Sequence, residues 1–327
     1  MSILRVLLFT AFITALITTA PAIAQDWPSK PVRMIVGFPP GALPDVLARM
    51  VANRMTSSLH QPMIVENRPG AAGTIAGNLV ARSPADGYTL LVGVAANLAV
   101  APHLMASAQY APTKDFAPIG LIQRSPYFIV AAVDLPVANL KELLAYAKAN
   151  PGKLNLVTPG VGTPHHLTWE LMMLQTGVKM VHVPVQAAQM ISETVTGRAH
   201  LFMDSATSVM VANVKSGKLK MIGMTGEKRM ADHPDVATAR EQGLQDIVSH
   251  AYNGLLAPAG TPAAIVKRLN AELNAVLARP EIIERLRAEG VPTEQGVGST
   301  PEQFGALIAT EYARWGKVIK EARITIN

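Results

Sequence analysis

The sequence predicts an α/β fold divided into two lobes. Three observations lead there. Short apolar runs alternate with amphipathic runs from position 32 onward, the pattern of βα units in series, and such units imply sheets covered by helices. The alternation restarts after Ser125. The last part of the chain returns to an apolar run at Gly254 and then turns helical, so its helices are expected to pack back on the first lobe. The chain then crosses between lobes twice, near 123–125 and near 250–252. One lobe is expected over 25–124 plus 251–327, the other over 125–250.

Residues 1–24 stand outside this plan. Arg5 gives a positive start, positions 7–20 are apolar, and Ala22-Ile23-Ala24 is a small-x-small cleavage pattern before Gln25. The short apolar run, followed at once by a cleavage pattern, favours a cleaved signal peptide over a membrane anchor. The chain has no cysteine, which excludes a lipid anchor at that site, disulfides, zinc thiolates and cysteine nucleophiles. An exported chain without disulfides must be held by its core, and 327 residues suffice for one.

The elements follow in order. A strand is expected over 32–36, then a helix with Leu47, Val51, Met55 and Leu59 on one face, ending near His60. A second strand covers 62–66. The turn Asn67-Arg68-Pro69-Gly70-Ala71-Ala72-Gly73 leads into a helix over 75–81. The spacing of Gly70, Gly73 and Gly77 is not a dinucleotide fingerprint, and no cofactor is expected. Asp86-Gly87 signals a turn before a buried strand over 88–93, and Ala95-Ala96-Asn97 is a small-residue connection. Three such units predict a parallel sheet. Positions 114–118 read as a loop and 119–123 as a strand leading elsewhere. In the second half, strands are expected over 127–133, 154–157, 180–183, 200–203 and 219–224, with helices over 140–149, 166–174 and 188–195. Thr163 suits an N-cap and Pro164 the first helical position. Thr261-Pro262 opens a helix with Ile265, Leu269, Leu273 and Val276. Thr300-Pro301-Glu302-Gln303 is a capping box for a last helix with Phe304, Ile308, Trp315 and Ile319 on one face. No internal sequence repeat is visible.

The formal net charge is +6, with basic residues scattered rather than clustered and no aromatic interleaving. That argues against nucleic acid and suits a soluble protein that tolerates anionic ligands. The stretch Val36-Gly37-Phe38-Pro39-Pro40-Gly41-Ala42-Leu43-Pro44-Asp45 is a strand end, a turn and a helix start. Open α/β sheets bind ligands at the carboxyl ends of strands, and free N–H groups at a helix start suit an anion. An ordinary βα connection is the alternative.

Several motifs occur in one order: Phe38-Pro39-Pro40-Gly41, Glu66-Asn67-Arg68-Pro69-Gly70, Asp86-Gly87-Tyr88-Thr89-Leu90-Leu91, Lys114-Asp115-Phe116-Ala117-Pro118, His182-Val183-Pro184 and Gly254-Leu255-Leu256-Ala257-Pro258-Ala259-Gly260-Thr261-Pro262. Together they resemble the Bug-type solute-binding proteins of the tripartite tricarboxylate transporter family, from about Trp27 to the C-terminus. The resemblance implies a periplasmic, monomeric, two-lobed Venus flytrap protein of the type II-like class. It implies a small carboxylate bound between the lobes, delivered to membrane transporter subunits or sensed by a kinase. Carried over by position, the ligand loops are Phe38 to Asp45 (Phe38, Pro40, Gly41, Ala42, Asp45), Ala96 and Asn97, and Gly160 to His166 (Gly160, Gly162, Thr163, His166). Val185, Gln186 and Asp204 complete the set.

Departures from the family pattern sharpen the ligand expectation. Ala42 replaces a usual Gly, Pro44 removes an N–H, and Val185-Gln186-Ala187 replaces Tyr-Lys-Gly. Val161 and Pro164 also stand where the family is often polar. The backbone amides of Gly41, Ala42, Gly162 and Thr163 are expected to hold one carboxylate, with Gln186 offering a neutral donor. A second carboxylate against Val161, Pro164 and Val185 would be desolvated without a charged partner. A monocarboxylate is therefore expected over citrate-like ligands.

The other residues have plainer readings. Adjacent His165 and His166 point about 100° apart on a helix and cannot share one metal, so no metal site is expected. His166 could fix its loop, Asp45 could complement the helix dipole, and Asp204 could cap the following helix. No Gly-x-Ser-x-Gly elbow is present, which leaves a secreted enzyme as the weaker alternative.

Overall fold

A computed structural model describes residues 27–293 and 297–326. The expected signal peptide and its cleavage site lie outside the described residues. The first part of the chain forms β1 (Val32–Val36), α1 (Leu43–Leu59), β2 (Met63–Asn67), α2 (Thr74–Ala81), β3 (Thr89–Val94), a π turn (Ala96–Val100) running into α3 (Ala101–Leu104), and β4 (Phe116–Pro126). The middle forms β5 (Phe128–Ala132), α4 (Leu140–Ala149), β6 (Asn155–Thr158), α5 (Pro164–Thr176), β7 (Val181–Pro184), α6 (Met190–Val195), β8 (Leu201–Asp204), α7 (Ser208–Lys215) and β9 (Leu219–Met224). The chain ends with β10 (His250–Pro258), α8 (Ala263–Leu277), α9 (Pro280–Ala288) and α10 (Pro301–Glu321).

Two five-stranded sheets result, ordered β2-β1-β3-β10-β4 and β7-β6-β8-β5-β9. They share one plan. In each, the second strand in the order (β1, β6) pairs in parallel with both neighbours, and the fourth, a crossing strand, pairs antiparallel with the strands that flank it (β10 with β3 and β4, β5 with β8 and β9). The sheets are therefore mixed, where the series of βα units predicted a parallel one. Each sheet receives one strand from the far side of a crossing, and that strand arrives antiparallel.

Side-chain alternation puts a core on each sheet face. In the first sheet, Met34, Val36, Leu90 and Val92 meet Leu47, Val51 and Met55 of α1 and Leu269 and Leu273 of α8. On the opposite face, Ile35, Leu91 and Leu256 meet Ala76 and Val80 of α2 and Phe304 and Ile308 of α10. In the second sheet, Ile129, Leu156 and Met203 meet Leu140 and Leu143 of α4 and Trp169 of α5. Phe128, Val130 and Phe202 meet Met190 of α6 and Met210 of α7. Fully burying each such side chain stabilises by roughly 1.5–3 kcal/mol.

Four local readings change. The 95–97 connection is the start of a helix, because the π turn begins at Ala96. β4 begins at Phe116 rather than 119. Pro118 tolerates this because β4 is an edge strand, where a missing N–H is cheap. Helices α7 and α9 were not expected. Asp204 does not cap α7: it ends β8 and accepts the Ser205 N–H at 2.8 Å, while Thr207 caps the helix by accepting from Met210 N.

Candidate functional site

The site starts where β1 ends. Gly37 sits against Gly73, so close that a Cβ on Gly37 would lie 2.7 Å from Gly73 Cα, which brings the two loops after β1 and β2 together. Pro44 occupies the first turn of α1, and Ala42 offers no side-chain cap. Asp45 takes over that task. Its Oδ2 accepts the Gly41 N–H at 2.9 Å, and its Oδ1 accepts from Asn67 Nδ2 at 2.8 Å and pairs with Arg49 at 2.9 Å. Burial opposes ionisation, but the bonds from Arg49, Gly41 and Asn67 outweigh it and hold the Asp45 carboxyl below its usual range. Asn67 also donates to the Phe38 carbonyl at 3.0 Å. Asp45 is 3% exposed, so it knits the loop from behind.

The opposing loop follows β6. Thr163 caps α5 by accepting from His166 N, and Pro164 takes the first turn. His166 Nδ1 accepts the Gly162 N–H at 3.2 Å, so its proton resides on Nε2, which faces Glu170 Oε1 at 3.4 Å. Its ring stacks on His182 with centroids 4.1 Å apart. His166 therefore holds the loop. The Ala42 N–H donates to Pro39 O at 3.2 Å and the Thr163 N–H to Gly160 O at 3.3 Å. All four amides expected to receive a carboxylate thus have partners inside the protein.

Between these loops lies a cavity of about 420 Å³. Phe38, Leu43, Pro44, Val94, Ala95 and Ala96 form one wall. Tyr127, Pro159, Thr163, Pro164, His165 and Ala187 belong to the second, with Asp204, Ser205 and Thr207 beside them. Ala251, Tyr252 and Asn253 of β10 close one side, with Glu289 at the margin. Of the residues expected at the ligand, Phe38, Ala96, Thr163 and Asp204 line this space. Pro40, Gly41, Ala42, Asp45, Asn97, Gly160, Gly162, His166, Val185 and Gln186 do not. Pro40, Gly41 and Gln186 are exposed, whereas Asn97 is fully buried and accepts the Val94 N–H at 2.8 Å. Val161 also falls outside the lining and is exposed, and Val185 packs on the core behind β8.

The polar groups that do line the cavity were mostly missed. The Tyr252 hydroxyl, Asn253 Nδ2 and both ring nitrogens of His165 are buried without a hydrogen-bond partner. His165 packs on Tyr127 with ring centroids 4.5 Å apart, and its Nε2 lies 3.7 Å from Asp204 Oδ1, too long for a hydrogen bond. Burial, reinforced by the Asp204 charge, raises the Tyr127 hydroxyl far above its ordinary range, so it stays protonated. His166 was the histidine expected at the ligand; its ring instead holds the 160–163 loop, and the adjacent His165 lines the cavity. Tyr252 and Asn253 carried no local signal beyond their place at a crossing.

A second cavity, of about 480 Å³, is lined by Arg124, Glu227 and His250, among others. Three of its charged groups are linked: Glu227 accepts from Arg124 at 2.8 Å and faces His250 Nε2 at 3.0 Å, with Lys228 and Arg229 also in the lining.

The family described as "tripartite tricarboxylate transporter family receptor" matches residues 47–324. Protein BugT of Bordetella pertussis is 33% identical over 312 residues, covering 95% of this chain and 94% of BugT. An R. palustris protein solved with adipate superposes with a TM-score of 0.76 at 32% identity, over 92% of this chain and 99% of the other. MatC from Rhodopseudomonas palustris, solved with bound malate, gives 0.74 at 31% identity, over 90% and 100%. The two mixed sheets are those of a periplasmic binding protein, and the chain belongs to the tripartite tricarboxylate transporter receptor family, the Bug-type solute-binding proteins.

Proposed function

We propose that this protein captures a small organic carboxylate in the cleft and hands it to the membrane subunits of a tripartite tricarboxylate-type transporter. The lobes are taken as 25–124 plus 251–327, and 125–250. The carrying observation is the cavity wall. Both sheets' loops and the crossing strand β10 contribute to it, and Tyr252, Asn253 and His165 bring unpartnered polar atoms. A buried donor without a partner costs about 1–3 kcal/mol, which a ligand oxygen offsets. Relatives solved with adipate and with malate support a carboxylate as that ligand. The N-terminal pattern supports export to the periplasm with cleavage before Gln25. The protein works as a monomer and releases its ligand unchanged.

The test is mass spectrometry of small molecules released by denaturing the purified protein, followed by calorimetry with the compound identified. The expected result is a carboxylate that binds at one site per chain and is recovered intact after incubation. A released ligand without a carboxyl group, or its chemical conversion, overturns the reading.

A further inference from the structure

A glycine joins the two sides of the cleft beside the cavity. α9 ends in a left-handed turn at Gly290, with φ +76°, where the Gly290 and Val291 N–H groups donate to the Arg287 and Leu286 carbonyls at 2.9 and 3.0 Å. Leu286 and Val291 belong to the first sheet's core, whereas Ala206, opposite, belongs to the second sheet's. A Cβ on Gly290 would lie 2.6 Å from the carbonyl carbon and oxygen of Ala206 and 3.0 Å from Thr207 N. These are backbone atoms, so no side chain can turn aside to make room. The Gly290 carbonyl also accepts from Ser125 Oγ at 3.0 Å, at the first crossing. Glu289 on one side of this contact, and Ser205 and Thr207 on the other, line the cavity. A second contact has a softer form. Gly162, with φ +74°, stands next to the cavity-lining Thr163, and a Cβ on it would lie 2.7 Å from Leu104 Cδ1 and 3.0 Å from Ile326 Cδ1, the ends of flexible side chains.

We propose that the close approach of Gly290 to the Ala206–Thr207 peptide sets how near the two walls of the cleft stand, and so sets the length of carboxylate that the cleft accepts. Gly290 is then a specificity-determining position without touching the ligand. The inference rests on the carboxylate-binding reading above. A methyl group on Gly290 falls roughly 1 Å short of ordinary van der Waals contact with the Ala206 peptide, so the two bodies must separate there. Close-packed cores on both sides transmit that displacement rather than absorb it. A gap of that size forfeits about a quarter to a half of a short ligand's attraction to the far wall, and a longer ligand recovers it.

Calorimetry across two unbranched series tests this: monocarboxylates from acetate to octanoate, and α,ω-dicarboxylates from malonate to suberate. In whichever series binds, the native protein should show one preferred length. Gly290→Ala should weaken that acid about tenfold and move the preferred length up by about one methylene or more. Gly162→Ala, whose neighbours can yield, should lose about threefold or less. Gly177→Ala is the control. Gly177 ends α5 with φ +69°, and nothing lies within 4 Å of a Cβ there, so this variant carries the same backbone strain without the contact. Its length profile should match that of the native protein. Gly290→Asn carries the same Cβ on a residue that tolerates left-handed backbone, and it takes the place of Gly290→Ala should that variant not fold. A native protein indifferent to length, an unmoved preferred length in a folded Gly290 variant, or the same shift in Gly177→Ala overturns this proposal and leaves carboxylate binding intact. Binding of no acid in either series overturns the carboxylate reading, and this inference with it.

Discussion

His182 shows how one side chain couples loop geometry to pH. Its Nε2 lies 2.6 Å from Thr158 Oγ1, which also accepts the Gly160 N–H, and its ring stacks on His166. Burial first, and the neighbouring His166 second, push its pKa down to about 4 from an ordinary 6.5. The unfolded chain therefore binds more protons at this position between those two values. Stability must fall as pH drops through that window and level off below it. With solvent screening of a half-buried ring, about 1 kcal/mol should be lost between pH 7 and pH 4.5. Urea unfolding at the two pH values checks this: His182→Gln should flatten the difference relative to the native protein. An equal slope in the variant would place the titration elsewhere. At this scale the sequence supplied chemical types but not directions. Adjacent His165 and His166 have different fates because α5 turns one toward the cavity and the other toward its own N-terminal loop.

Element-level patterns were the most legible part of the chain. The expected capping box at the start of α10 is present, with Thr300 and Gln303 exchanging side chain and backbone bonds at 3.2 and 2.9 Å. Thr300→Ala should cost about 1 kcal/mol in urea unfolding. The expected apolar face of α10 is also buried, but it serves two partners. Phe304 and Ile308 join the first sheet's core, whereas Trp315, Val318 and Ile319 pack with Ala99 and Val100 of the π turn and Leu167 of α5. Trp315 is fully buried and its indole N–H donates to Glu311 at 3.0 Å. Trp315→Ala should therefore cost about 3–5 kcal/mol, against the smaller loss at the cap. The same urea transitions measure both. A loss at Trp315 near 1 kcal/mol would mean the cluster collapses around the gap. Helical periodicity identifies a face and gives no account of what that face meets, because the partners lie far off in the chain.

At the scale of the whole molecule, β4 and β10 carry the connection between the sheets. They pair antiparallel from Phe116 opposite Pro258 to Pro126 opposite His250, with register shifts near Gly254 and Leu256. Arg124 of β4 contacts His250 of β10 at 3.1 Å, and both contact Glu227 after β9. The His250 bond, chiefly, holds the Glu227 carboxyl well below its usual range despite burial. The cavity lies between walls of different sheets, so a ligand touching both favours the closed arrangement by its differential affinity. Small-angle scattering should show a smaller radius of gyration with ligand than without. Tight binding with no compaction would mean the cleft is closed beforehand.

The sequence by itself determined the α/β class, most of the strands and helices, and the family. These follow from local periodicity, capping chemistry and motif order, all of which are written along the chain. Only the tertiary structure decided that both sheets share one mixed plan without a visible sequence repeat, since strand order depends on pairing between distant segments. It also decided which side chains face the ligand space. The Gly41 and Gly162 amides looked free in a local reading and are taken up by Asp45 and His166. Tyr252 and Asn253 stood out only by their place near a crossing, and they bring unpartnered polar atoms to the cleft. Whether a buried polar group is satisfied depends on every neighbour that folding brings within about 3 Å of it, and most of those neighbours are remote in sequence.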